Sequence, residues 1–345
     1  METKLLKVDR ENIDEDKIRI GAEYIKKGEL VAMPTETVYG LGVNGLDPEA
    51  VKKVFIAKGR PQDNPLILHI SNIDQVDKLV KDVKNEDYRL MEYLWPGPIT
   101  MVFKKKDIVP NIVSGGGDTV GLRLPSNPIA RKLIDLSGVP IAAPSANISG
   151  RPSPTNAEDV YNDMKGRIAR IIDGGSSDIG IESTVVDMTS KDPIILRPGF
   201  YTLEYLKEFM PNIKMDLGLK EGIPKSPGQK YKHYAPKAKL IVFVGDSKKV
   251  RERIIREIEK ERKKNSKIGV MSFIEDEPYN VDLELKIGSF KDITEMGHLL
   301  FKNLRDFDKN NIDIIFGVGV IEEGYGTSIM NRLKKASAGN VIYVD

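Results

Sequence analysis

The chain contains no cysteine. Disulfide bridges, thiolate zinc sites and a cysteine nucleophile are thereby excluded. Histidine is nearly as scarce: His69, His233 and His298 are the only three in 345 residues, too few for a histidine-rich metal site and unfavourable for a Ser-His-Asp triad. Also missing are a G-x-x-x-x-G-K-[ST] phosphate loop, a G-x-G-x-x-G fingerprint after a first strand, an H-E-x-x-H zinc motif and a G-x-S-x-G elbow. Charge of one sign is not in surplus. Fifty-three Lys plus Arg against 51 Asp plus Glu leave +2, whereas a dedicated nucleic-acid binder more often shows a basic surplus or a basic stripe. No apolar run approaches bilayer-spanning length, and the charged residues 1–10 hold no signal-peptide core, so a soluble cytoplasmic protein is expected.

What is present reads as α/β. At 345 residues the chain exceeds one ordinary domain, and 40% hydrophobic residues supply two cores. Residues 1–209 form the expected first domain and 210–238 a linker rich in Pro, Gly and Lys. Residues 239–345 form a smaller domain, with apolar strands near 240–245, 268–271 and 312–316 and a charged helix near 247–264. That helix interleaves Lys248, Arg251 and Lys263 with Glu252, Glu257 and Glu259, the pattern of a solvated face.

The first domain concentrates polar chemistry at strand ends. The apolar run Leu30-Val31-Ala32-Met33 ends in Pro34-Thr35-Glu36-Thr37-Val38-Tyr39-Gly40-Leu41-Gly42, where two hydroxyls and two glycines suit either a tight structural turn or a ligand-binding loop. A helix capped by Asp47, entered through Pro48 and stopped at Gly59 presents Lys58 and Arg60, which complement its dipole or meet an anion. Arg123 lies opposite Val120, Leu122 and Leu124 in a strand and requires an anion, either a structural carboxylate or a ligand's carboxylate or phosphate. His69 shares a strand face with Ile67, a setting more usual for a hydrogen-bonded core histidine than a catalytic one. A second strand, 139–143, runs into Pro144-Ser145-Ala146-Asn147-Ile148-Ser149-Gly150. Ser153 follows, and then Thr155 and Glu158 as a capping box for the next helix. Residues 180–187 and 195–199 read as paired strands carrying Ser183 and Arg197. Cations, hydroxyls and glycines without a side-chain nucleophile suit a polyanion whose chemistry needs positioning and charge neutralisation.

Pro34-Thr35-Glu36-Thr37-Val38-Tyr39-Gly40-Leu41, Lys58-Gly59-Arg60-Pro61 with Asn64-Pro65-Leu66, and Ala143-Pro144-Ser145-Ala146-Asn147-Ile148-Ser149-Gly150 resemble the YrdC-type threonylcarbamoyl-adenylate synthases. The split Lys-x-Arg and Ser-x-Asn signature is present as Lys58, Arg60, Ser145 and Asn147, and the resemblance covers the whole chain in the form of the long, two-domain branch. It implies a YrdC-like twisted mixed sheet flanked by helices, followed by a linker and a smaller Rossmann-like α/β domain. It also implies a nucleotidyltransferase reaction joining L-threonine, bicarbonate and ATP into threonylcarbamoyl-AMP and pyrophosphate, for threonylcarbamoyladenosine in tRNAs reading codons that start with A. Lys58, Arg60, Ser145 and Asn147 would be catalytic. Arg60, Asn64, Thr119, Ser145, Ser153, Arg197 and Tyr231 would bind ATP, and Thr35, Thr37, His69, Arg123, Ala143 and Ser183 would bind threonine. Mg2+ would accompany ATP without assignable protein ligands, and the product would pass to a tRNA threonylcarbamoyl transferase. Separately, the mix of aromatics and cations in residues 226–236, unneeded in a plain spacer, leads to the expectation that the linker folds over the site as a lid through Tyr231 and His233. The alternative is a double-stranded-RNA-binding or tRNA-binding translation factor.

Overall fold

A computed structural model describes residues 2–217, 224–227 and 233–344. By internal contacts the chain divides into two units. Met1–Ser149, Ser153–Asp178 and Glu182–Tyr231 make the first, and Gly150–Pro152, Ile179–Ile181 and Lys232–Asp345 the second. No helix among the described residues is long and apolar enough to cross a membrane.

The first unit is built on a mixed sheet of twelve strands among the described residues. Its centre runs Val31–Met33, Gly40–Asn44, Ile141–Ala142, Ile67–His69, Thr119–Arg123, Ile99–Lys105, Thr184–Asp187 and Ile194–Arg197. These central strands are short and apolar, and nearly every residue in them is buried. Helices cover them: Glu15–Lys26 and Pro128–Ser137 pack with Val31, Met33, Ile141 and Ile172 into one core, while Pro48–Lys58 contributes Val51, Val54 and Phe55 to another.

Local chemistry explains the element ends. Asp47 accepts from the amides of Glu49 and Ala50, Pro48 opens the Pro48–Lys58 helix, and Gly59 closes it at φ 61, a left-handed conformation that costs glycine little. The capping expected after the second loop is corrected. The helix spans Ala157–Met164, and its cap is Asn156, whose side-chain Oδ1 accepts from Asp159 N at 2.8 Å, not a Thr155–Glu158 box. Asn156 has the extended backbone of a cap, which places Thr155 one residue outside the helix and Glu158 one position short of the box.

The second unit holds five parallel strands in the order Leu283–Lys286, Ile268–Ser272, Ile314–Val318, Lys239–Gly245, Val341–Val344. Helices Ser247–Arg262, Thr294–Lys309 and Tyr325–Ala336 connect them, giving the Rossmann-like arrangement expected. The charged helix is a solvated face: Arg253 and Lys260 both pair with Glu257, and Lys264 pairs with Glu261, all at the surface.

Candidate active site

Strand register assembles the site on one face of the first unit's sheet. The parallel pairing of Ile67–His69 with Thr119–Arg123 sets His69 beside Arg123 and Ile67 beside Gly121, so these residues share a face. Ala143 N donates to Ile67 O at 3.0 Å and extends the row. Gly121 forms the floor, since a Cβ there would come 2.9 Å from Thr100 Cγ2. Thr119 lies four residues before Arg123, roughly 13 Å along an extended strand. It stands at the end that runs on toward Pro65.

At the Arg123 end, Arg123 Nη2 lies 2.7 Å from Glu36 Oε1. This answers the question of its anion: a structural carboxylate from the first loop. The pair leaves buried atoms unused. Arg123 Nε, Glu36 Oε2 and His69 Nδ1 have no hydrogen-bond partner among the described residues. Burial, reinforced by the Arg123 charge, pushes His69 down to about 3, so the imidazole is neutral. Thr35 Oγ1 meets Thr37 Oγ1 at 2.9 Å and donates to Val38 O at 2.6 Å, fixing the loop that carries Glu36. Arg197 donates through Nε to Ser183 O and through Nη2 to Ser183 Oγ, both at 3.0 Å, and Ser183 Oγ meets Thr100 Oγ1 at 2.9 Å. A residue expected to bind nucleotide is thus joined to one expected to bind threonine.

At the other end, Lys58 ties the helix to the second loop. Its Nζ donates to Ser145 O at 2.5 Å and Asn147 O at 2.6 Å, and Ser145 Oγ donates to Asn147 Oδ1 at 2.5 Å. The Lys-x-Arg and Ser-x-Asn motifs, remote in sequence, are one hydrogen-bonded knot. Arg60 Nη2 donates to Asn64 O at 3.3 Å and Pro65 O at 3.1 Å. Ser153 Oγ donates to Glu182 Oε1 at 2.6 Å. Lys58, Arg60, Arg123 and Arg197 are all buried. Tyr231 lies outside the described residues.

Three members of this constellation were not singled out by sequence reasoning: Glu36, Glu182 and Thr100. Glu36 stands inside the loop picked for its hydroxyls and glycines and Glu182 inside a segment read as a strand, and the available signal was a carboxylate with buried neighbours, which requires a cation or hydroxyl partner. Among the described residues no group of three or more His, Asp or Glu gathers as a metal site.

A family profile described as Telomere recombination, Sua5_yciO_yrdC, matches residues 23–199, and one described as Threonylcarbamoyl-AMP synthase, C-terminal domain, matches residues 201–338. The threonylcarbamoyl-AMP synthase of Pyrococcus abyssi is 48% identical over 338 residues, spanning 97% of this chain and 98% of the relative. That of Bacillus subtilis is 42% identical, spanning 97% and 96%. The crystal structure of P. abyssi Sua5 complexed with L-threonine superposes with a TM-score of 0.94 at 46% identity, covering 99% of this chain and 100% of that one. The shared motifs, the sheet that brings them together and the second Rossmann-like unit have one explanation: the chain belongs to the Sua5/YciO/YrdC family and carries the Sua5 C-terminal domain.

Proposed function

We propose that this chain is an L-threonylcarbamoyladenylate synthase, forming threonylcarbamoyl-AMP and pyrophosphate from L-threonine, bicarbonate or CO2, and ATP. The observation that carries the reading is the trio of buried atoms at one end of the strip that have no hydrogen-bond partner among the described residues, Arg123 Nε, His69 Nδ1 and Glu36 Oε2. Buried polar groups are nearly always satisfied, and an amino acid supplies the complements: a carboxylate for the guanidinium, and an amine and a hydroxyl for the imidazole and carboxylate. The opposite end, with Lys58, Arg60, Asn64, Ser145, Asn147 and Thr119, suits a nucleotide. A strip of roughly 13 Å from Arg123 to Thr119 is long for threonine alone and fits an adenylate.

In this reading the threonine amine takes up CO2 as a carbamate. A carbamate oxygen attacks the α-phosphorus of ATP, the bond to the β-phosphate bridging oxygen breaks, and pyrophosphate leaves with the electron pair. The substrate supplies its own nucleophile, in keeping with the lack of an activated serine or cysteine. Arg60 and Arg197 neutralise charge that shifts toward pyrophosphate, and Lys58 holds the Ser145–Asn147 loop against the nucleotide. Lysine and arginine cannot ligate a cation, so Mg2+ would arrive on ATP held by phosphate oxygens and water, where it would supply further charge neutralisation. We place the reaction in the cytoplasm, with the product consumed by a tRNA threonylcarbamoyl transferase. The RNA-binding alternative is not favoured: phosphate-backbone binding needs exposed cations, and Lys58, Arg60, Arg123 and Arg197 are at most 9% exposed.

The test is pyrophosphate release from Mg-ATP with threonine and bicarbonate omitted in turn. Release requiring both is expected. Release indifferent to threonine would overturn the substrate, and no release under any condition would overturn the synthase reading.

A further inference from the structure

The second unit contains a crevice that the proposed reaction does not use. In its sheet the strands Lys239–Gly245 and Ile314–Val318 are neighbours, yet their chains leave in opposite directions. After Gly245 the chain passes through helix Ser247–Arg262 to Ile268–Ser272 on one side. After Val318 it passes through helix Tyr325–Ala336 to Val341–Val344 on the other. Each connection crosses the other's strand, and connections that leave adjacent parallel strands in opposite directions open a crevice at the carboxyl ends, the place where open α/β sheets bind ligands. A cavity of about 470 Å³ occupies this position, lined by Phe243 to Gly245 and Val318 to Ile321 from the two strand ends. That volume lies within the usual range for small-molecule sites.

The lining selects a class of ligand. Phe243, Phe273, Tyr279 and Phe290 supply aromatic surface for a flat ring. The Tyr279 side chain is buried, only 6% exposed, and no described group meets its hydroxyl in hydrogen-bond geometry. The charged groups facing the cavity are carboxylates: Glu275, Asp276 and Glu323. Among the described residues none of those lining it is a lysine or arginine. Arg251 is stacked 4.5 Å from the Tyr279 ring centroid, donates to the carbonyls of Glu277 and Pro278, and acts electrostatically on the Tyr279 hydroxyl. The amino end of helix Ser247–Arg262, where dinucleotide-binding folds seat a phosphate, is closed by Asp246, which accepts from the amides of Lys248 and Lys249 at 3.1 Å. A phosphate would meet acidic groups here.

We propose that this crevice binds a nucleoside without phosphate, its base against the aromatic side chains and the Tyr279 hydroxyl, its ribose hydroxyls donating to the carboxylates. The site is independent of the synthase reading, because every group invoked lies in the second unit.

The experiment titrates adenosine, and separately AMP, into the full chain by calorimetry, using the wild type and the variants Tyr279→Phe, Val320→Trp and Arg197→Ala. Adenosine binding is expected to survive Arg197→Ala, which removes a cation from the first unit's site. It should weaken about three- to tenfold in Tyr279→Phe, the scale of one hydrogen bond, and vanish when Val320→Trp fills the partly exposed crevice mouth. AMP should bind the crevice about tenfold or more weakly than adenosine. No adenosine binding at millimolar concentration, binding lost in Arg197→Ala, binding indifferent to both crevice variants, or equal affinity for AMP would each overturn the assignment.

Discussion

Arg123 Nη2 lies 2.7 Å from Glu36 Oε1, and the two side chains are 5% and 6% exposed. The pair joins the loop after the first central strand to the carboxyl end of the Thr119–Arg123 strand. It orients the guanidinium while leaving Nε without a hydrogen-bond partner among the described residues. Removing either member strands a buried charge. Glu36→Gln is expected to lower unfolding free energy by about 3–5 kcal/mol in denaturant titration. If Arg123 also holds the threonine carboxylate, the same variant raises KM for threonine about tenfold and leaves KM for ATP nearly unchanged. Equal changes in both constants would argue for a purely structural pair.

His69 carries a pH signature. Its imidazole is pushed from 6.5 down to about 3, by burial first and by the Arg123 charge second. Below pH 6.5 the unfolded chain takes up a proton on this residue and the folded chain does not until near pH 3. The stability due to neutral His69 is therefore fully present above pH 6.5. It is lost as pH falls through that window, at up to about 1.4 kcal/mol per pH unit. His69→Gln should flatten the difference in unfolding free energy between pH 7 and pH 5. A slope identical to wild type would show that the imidazole is protonated in the fold.

Arg197 fixes Ser183 through two hydrogen bonds, one to its carbonyl and one to its hydroxyl. Arg197→Ala should reduce turnover by roughly two to three orders of magnitude, the scale for losing one transition-state charge contact. Arg197→Lys should recover little, because an ammonium does not reproduce the forked geometry. Pyrophosphate release measured at saturating ATP and threonine gives the comparison, and a loss below about threefold in Arg197→Ala would remove the residue from the nucleotide site.

Lys58 and Asp47 sit at opposite ends of one helix and should behave differently. Lys58→Met leaves the carbonyls of Ser145 and Asn147 without their shared donor. Faster amide exchange across residues 145–149 should accompany loss of turnover. Asp47→Ala removes only the cap and should cost about 1 kcal/mol of stability with turnover preserved. Unchanged exchange in the loop of Lys58→Met would show that the lysine does not organise it.

Local rules made part of the molecule readable in advance. Asp47, Pro48 and Gly59 bounded a helix because each acts on amides and carbonyls within a few residues. The capping box at Thr155 failed because the helix begins one residue later, at Ala157, which gives the cap position and the Asp159 amide to Asn156. The Thr184–Asp187 and Ile194–Arg197 strands paired as expected, since alternation and a short connection leave few other partners.

The sequence by itself determined the strand-end loops, the cations and hydroxyls within them, the lack of a side-chain nucleophile and the division into a large and a small α/β region. Each is a matter of residue type and short-range spacing. Only the tertiary structure decided which of those groups meet: Glu36 with Arg123, Ser153 with Glu182, Arg197 with Ser183, and Lys58 with the Ser145–Asn147 loop. The reason is physical. A buried charge demands a partner but does not name one, and the choice is made by strand register, which sets side chains from distant segments on one face of the sheet at hydrogen-bonding distance.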